Sequence, residues 1–337
     1  MRTKGLIYIK RCMVLFSVAA IVMILAPALV NAEYPEKPIT YIISFNPGGE
    51  SDVTARLQES HLEKFLGQPV NVTHKPGGGG AVAWSDFQRT AKPDGYTVIG
   101  VNIPHIIGQP MLRKDAGYET DGFDLIMWFH FTPNALIVKK DSPYQTLEDF
   151  LKYAKENPKA ATVGGSGSFS ANHLETLRLE KAAGVQVTYV PHTGTGPVVP
   201  ALLGGHITAA MGYSMLGVQY KDQARVLAVA ADERVETLPD APTFKELGYD
   251  IVGGAFRGVA APKGTDPQII SKLAEAFSET NKIIAEKQRQ LGFVMTYATG
   301  QEAYTLVGRM KENYEGILQE IAAQKKITLF THKKPRP

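Results

Sequence analysis

The chain has 337 residues, 36 Lys and Arg against 33 Asp and Glu, and a single cysteine. That length suffices for about two domains held by apolar cores, and one cysteine excludes an internal disulfide. The charges nearly balance, which argues against nucleic acid as a partner, since that needs a basic face.

Residues 1–32 read as an export signal. Arg2, Lys4, Lys10 and Arg11 form a basic start, and an uncharged apolar run follows from Cys12 to Val30. Val30-Asn31-Ala32 places small residues at the −3 and −1 positions of a signal-peptidase site, just after Pro27. Left uncleaved, the same run is nearly long enough to span a bilayer, so an anchor is the competing reading. Lys10 and Arg11 precede Cys12 where a lipid-attachment motif needs small apolar residues, so lipidation is not expected. Removing the segment takes four basic residues and leaves 32 against 33 acidic, a net charge of −1.

Strands and helices then alternate. A β-branched, aromatic run at 39–45 predicts a buried strand, and 52–66 an amphipathic helix closed by Gly67. A strand at 70–73, a glycine run, a helix at 81–90, a Pro93-Asp94-Gly95 turn and a strand at 96–101 complete a βαβαβ half with a parallel sheet. A strand at 135–138 leads out of it. Thr146 to Asp149 caps a helix through about 155. Strands at 161–163, 186–190 and 207–211 alternate with helices at 171–183 and 198–203. A strand at 226–230, a short helix at 243–247 and a strand at 256–260 follow. Asp266-Pro267 starts a helix, 301–323 forms a long amphipathic one, and 332–337 reads as a frayed tail. Two α/β lobes are expected; crossings near Asn134 and Ala255 would make the first discontinuous, which periodicity alone does not decide.

Four strand-to-helix turns are rich in glycine and small hydroxyl residues. They are Asn46-Pro47-Gly48-Gly49-Glu50-Ser51-Asp52, Pro76-Gly77-Gly78-Gly79-Gly80, Gly164-Gly165-Ser166-Gly167-Ser168-Phe169-Ser170 and His192-Thr193-Gly194-Thr195-Gly196. In an open parallel sheet such turns lie at the strand ends where ligands bind. The first N–H groups of each following helix lack internal partners and favour an anion. Tight connections alone also select glycine, but four such turns in series point to a cradle for carboxylate or phosphate.

Enzyme patterns are absent. The dinucleotide spacing fails at Gly77/Gly79, followed by Val82, and at Gly165/Gly167, followed by Ser170. No Gly-Lys-Ser/Thr loop exists, the nucleophile elbow fails at Ser168, and the eight histidines lack metal-ligand spacing. Neither a cofactor nor a metal is expected. His105 and His173 are the two histidines placed to face a ligand.

The chain resembles the tripartite tricarboxylate transporter receptors (the TctC-like, or Bug, family). The resemblance rests on an ordered series: Tyr34-Pro35-Glu36-Lys37-Pro38, Pro47-Gly48-Gly49 with Asp52, Gly67-Gln68-Pro69-Val70, Lys75-Pro76-Gly77-Gly78-Gly79, Pro93-Asp94-Gly95-Tyr96, Tyr189-Val190-Pro191, Leu202-Leu203-Gly204-Gly205, Leu238-Pro239-Asp240-Ala241-Pro242 and Ala260-Ala261-Pro262-Lys263-Gly264. It implies a type II periplasmic-binding-protein fold: α/β, two Rossmann-like lobes joined by two hinge strands, with 33–134 and 256–337 in one lobe and 135–255 in the other. It further implies a monomeric periplasmic receptor that closes on a small di-, tri- or aromatic carboxylate. That receptor would deliver its ligand to one large and one small integral membrane subunit; a sensory receptor would need the same cleft. Phe45, Asn46, Pro47, Gly48, Gly49, Ser51 and Asp52 would approach the ligand from the first lobe, with His105. Gly165, Ser166, Ser168, Phe169, Asn172, His173, Thr193, Gly194, Thr195 and Gly196 would close from the other. Many members carry Asp-Asn where this chain has Gly212-Tyr213, followed by Ser214; the missing acid argues against an amino-acid ligand. Arg257 is expected either to hold a ligand carboxylate or to form a salt bridge across the hinge.

Overall fold

The computed structural model describes residues 34–113 and 115–325; the export segment and the 332–337 tail lie outside them. The first half forms as its pattern predicts: β1 (Ile39–Ile43), α1 (Glu50–Leu66), β2 (Val70–His74), α2 (Ala81–Thr90) and β3 (Thr97–Ile103). β1 runs parallel to both β2 and β3. It buries Ile39, Tyr41 and Ile43 at alternate positions, whereas β3 is buried from Val98 onward, as a strand covered on both faces must be.

Two elements depart from the sequence reading here. A helix, α3 (His105–Leu112), follows β3 directly; its internal glycine and Pro110 hide the helical period. β4 (Phe123–Lys139) is 17 residues long where a strand at 135–138 was expected. Pro133 and two register shifts interrupt its alternation, so only the C-terminal part reads as a strand.

The second half continues with α4 (Leu147–Glu156), β5 (Thr162–Gly165), α5 (Ala171–Ala183), β6 (Thr188–Pro191), α6 (Thr195–Leu203), β7 (Ala209–Tyr213), α7 (Ser214–Gln219) and β8 (Ala224–Val229). The capping box between Thr146 and Asp149 forms as expected. The short helix expected at 243–247 does not: Thr243 bridges Val229, and Phe244 N–H donates to Val229 O. With its first two residues tied to a strand and Gly248 ending the segment, too few residues remain to nucleate a helix. β9 (Gly254–Pro262), α8 (Pro267–Gln290), β10 (Val294–Thr299) and α9 (Gly300–Lys325) complete the chain, with Asp266 capping α8.

The strand order is β2-β1-β3-β9-β4-β7-β5-β6, with β8 and β10 also on β4. β4 pairs with β9 and β10 over its first part and with β7 and β8 over its last. The partners change at Asn134, whose N–H donates to Gly253 O. One apolar core gathers Trp84, Ile103, Ile106 and Trp128; others lie around Phe150 and Met211, and around Ile137 and Met215. Trp84 Nε1 donates to Gly100 O at 2.9 Å, and its ring edges onto Phe45 and His105. It therefore backs the strand ends where the glycine-rich turns emerge.

Trp84→Ala is expected to cost about 3–5 kcal/mol by urea unfolding. Thr146→Ala, which removes only the capping box of α4, should cost about 1 kcal/mol.

Candidate functional site

The four glycine-rich turns meet in pairs. The turn after β1 touches the turn after β6: Asn46 N–H donates to Thr193 O at 3.4 Å. A β-carbon at Gly196 would lie 2.3 Å from Pro47 O, so that approach requires glycine. The turn after β2 touches the turn after β5, and Gln109 Nε2 donates to Gly79 O at 2.8 Å and to Ser168 O at 3.5 Å.

Between these contacts lies a small, tightly closed-down cavity with a free volume of about 10 Å³. Phe45, Gly49, Ser51 and His105 line one side, and Ser166, Thr195, Tyr213 and Arg257 complete it. All eight were singled out from the sequence. Glu50 and Asn102 line it too, and sequence reasoning missed both. A larger surface groove of about 830 Å³, bordered by Lys140, Lys221 and Arg225, shares no residue with this cavity.

The other expected residues do not line it: Pro47 and Gly48 are exposed, and several more brace the lining from behind. Asn172 Oδ1 accepts from Ser166 N–H at 3.0 Å, while its Nδ2 donates to Asn134 Oδ1 and Gly212 O. Phe169 N–H donates to His173 Nδ1, and the His173 ring stacks on Tyr189 at 4.2 Å, so Phe169 and His173 brace their own loop. A β-carbon at Gly165 would meet Tyr189, and one at Gly194 would meet Asn46 N. Asp52 accepts from Gly48 N–H at 2.8 Å and pairs with His74 at 2.7 Å. Ser214 Oγ donates to Gly292 O, away from the cavity. Asn46 is half-buried, with its Oδ1 unpartnered.

Electrostatics single out one pair. Arg257 and Glu50 form an ion pair inside the cavity with only 4% and 1% of their side chains exposed. Arg257 Nη1 also donates to Thr132 Oγ1 at 3.0 Å and to Ala255 O at 3.2 Å, and the guanidinium lies 4.5 Å from the Tyr213 ring centroid. Arg257 is thus salt-bridged to Glu50, and its side chain also lines the cavity. Burial pushes the Glu50 carboxyl up to about 7 against the opposing pull of Arg257. Burial, then the Arg257 charge, holds His105 down to about 3, so its ring is neutral. Glu50 Oε1, Arg257 Nε and both His105 nitrogens are buried without a hydrogen-bond partner.

The helix starts matter as much as the side chains. α1 begins at Glu50 and Ser51, α3 at His105 and α6 at Thr195, and all of these residues line the cavity. Their free N–H groups and dipoles make it suited to one anion. No Lys faces it, and among the described residues no group of His, Cys, Asp and Glu is arranged to hold a metal.

Comparison with known proteins agrees. Residues 54–322 match the family model described as tripartite tricarboxylate transporter family receptor. The chain belongs to that family. A curated relative, the UPF0065 protein in the gbd 5' region of Cupriavidus necator, is 32% identical, with 94% of this chain and 98% of the relative covered. The periplasmic binding protein BugD superposes with a TM-score of 0.80 at 28% identity, covering 88% of this chain and 99% of its own. MatC from Rhodopseudomonas palustris, solved with bound malate, gives a TM-score of 0.79 at 27% identity over 85% of this chain and all of its own. The family's members are periplasmic solute receptors rather than enzymes, and this receptor has their two-lobed α/β fold.

Within the family frame, Gly212 takes on a different meaning. A side chain there would point at Leu216 and Ile137, while Tyr213 lines the cavity. The missing acid at Gly212 is therefore a poor guide to the ligand, because the cavity's acid is Glu50. Its signal in the sequence was a glutamate beside Gly48-Gly49 in a turn whose other acid, Asp52, is spent on Gly48 N–H and His74.

A histidine whose folded value is depressed binds fewer protons folded than unfolded. His105 therefore contributes stability that is complete above about pH 6.5 and is lost as pH falls toward 3. His105→Gln should flatten the pH dependence of unfolding free energy between pH 4 and 6 by about 1.4 kcal/mol per pH unit. Equal slopes in the two proteins would mean that His105 titrates normally.

Proposed function

We propose that this receptor captures a small organic carboxylate in the periplasm and delivers it to the membrane subunits of a tripartite transporter. The observation that carries the reading is the convergence of the α1, α3 and α6 N-termini and one guanidinium on a single small cavity. The ligand carboxylate lies against the amides at Glu50, Ser51 and Thr195, with the Ser51, Ser166 and Thr195 hydroxyls as further donors. That a relative, MatC, holds malate supports a carboxylate as the ligand class.

In this reading residues 33–134 and 256–337 form one lobe and 135–255 the other. β4 and β9 are the strands along which the lobes hinge. Ligand contacts to both sides favour the closed arrangement, and it is the closed form that docks on the membrane subunits. A ligand shifts that balance only by as much as it prefers the closed form.

The test is thermal unfolding of the purified protein against small carboxylates, amino acids and sugars. Ligand at a hundred times its dissociation constant should add about 2.7 kcal/mol of stability, a clear rise in Tm. A response confined to sugars would contradict the reading.

A further inference from the structure

Among the described residues, Glu50 and Arg257 are the only charged ones lining the cavity, and they are paired with each other. Their charges cancel, so the cavity offers no free cation. What remains for an anion is the partial positive charge of the helix N-termini, about half an elementary charge each. That suits one carboxylate. A second would meet a guanidinium already neutralised and a carboxylate that repels it.

The unpartnered atoms describe what belongs beside the pair instead. Glu50 Oε1 is an acceptor, Arg257 Nε a donor, and neutral His105 offers one N–H and one lone pair. All are buried, and leaving a buried polar atom unpaired is unfavourable. A group that donates and accepts at once satisfies both kinds of atom. A hydroxyl or an amide does this without adding charge. An ammonium satisfies Glu50 but sets a cation against Arg257.

We propose that Glu50 is the specificity-determining residue of this receptor. It admits ligands with one ionised carboxylate and an uncharged hydroxyl or amide, and it turns away dicarboxylate dianions. The inference rests on the carboxylate-receptor reading and narrows it. Arg257, held by Thr132 and Ala255 on one edge, is the fixed partner that keeps Glu50 aimed into the cavity.

The experiment is isothermal titration calorimetry with matched acids that differ only at the far end. For each chain length from three to eight carbons, the ω-hydroxy acid, the dicarboxylate and the ω-amino acid are compared, as in 4-hydroxybutyrate, succinate and 4-aminobutyrate. At pH 8 the hydroxy acid should bind the native protein at least about tenfold more tightly than its matched dianion. Glu50→Gln frees the Arg257 charge and should reverse that order by a similar factor. Glu50→Ser is the second variant if the first fails to fold.

A pH series on the native protein gives an independent readout. Arg257 from β9, His105 from α3 and Tyr213 from β7 face Glu50, and His130 on β4 lies within the field of Arg257. His105 and His130 are both held neutral and Tyr213 is held protonated by burial, so Glu50 is the group that titrates. Dianion binding should tighten between pH 8 and pH 6.5 while hydroxy-acid binding stays level. A native protein that prefers dianions with no change in Glu50→Gln, prefers ω-amino acids, or binds dianions independently of pH overturns the inference and leaves the receptor reading standing. No binding of any acid to native protein or variants overturns both.

Discussion

A buried guanidinium and a buried carboxylate, each nearly removed from water, are tolerable only together. That constraint organises the site. Glu50 opens α1 and Arg257 sits in β9, so the pair ties the first helix to the strand that runs beside β3 and β4. Thr132 on β4 holds the other edge of the guanidinium. The charge character of the cavity is thus set by the same contact that fixes the geometry of three elements, and neither can change alone.

Around the pair, helix starts and glycine-rich turns supply the rest of the cavity's polar lining. Glycine-rich turns let two chain segments approach closely enough to enclose the cavity, as at Gly196 against Pro47 O. The helices that follow aim their unpaired N–H groups inward. Apolar packing from Trp84 and Phe45 keeps these turns from relaxing into solvent. Neutral His105 and the Tyr213 ring add polar surface without net charge. The result is a cavity lined by helix starts, hydroxyls and aromatic rings, with one ion pair whose charges cancel.

Much of this was legible in the sequence, for identifiable reasons. The β1-α1-β2-α2-β3 half followed from period and turn chemistry, because each element is regular and ends at a glycine or a Pro-Asp-Gly turn. Ser51, Ser166 and Thr195 were legible because hydroxyl residues beside glycines recur at several strand-to-helix turns in series, and Phe45 because it ends the aromatic, β-branched run that leads into the first of them. The first half of β4 was hidden by Pro133 and its bulges, and α3 by a glycine and a proline within eight residues. The expected helix at 243–247 failed because a long-range bridge from Thr243 to Val229 overrode local propensity. Glu50 escaped notice because its partner lies more than 200 residues away, and only folding brings them together. Asn102 was indistinguishable from any other residue of a buried strand.

A double-mutant cycle on Glu50 and Arg257, read by unfolding free energy at pH 8, tests the central interaction most directly. Glu50→Gln should cost about 3–5 kcal/mol, because it strands the buried Arg257 charge, and Arg257→Gln less, because Glu50 without its cation takes up a proton. The double variant should cost clearly less than the sum of the two, with a coupling of at least about 2 kcal/mol. Additive effects, with coupling within about 0.5 kcal/mol of zero, would mean the two side chains do not depend on each other and would contradict the account.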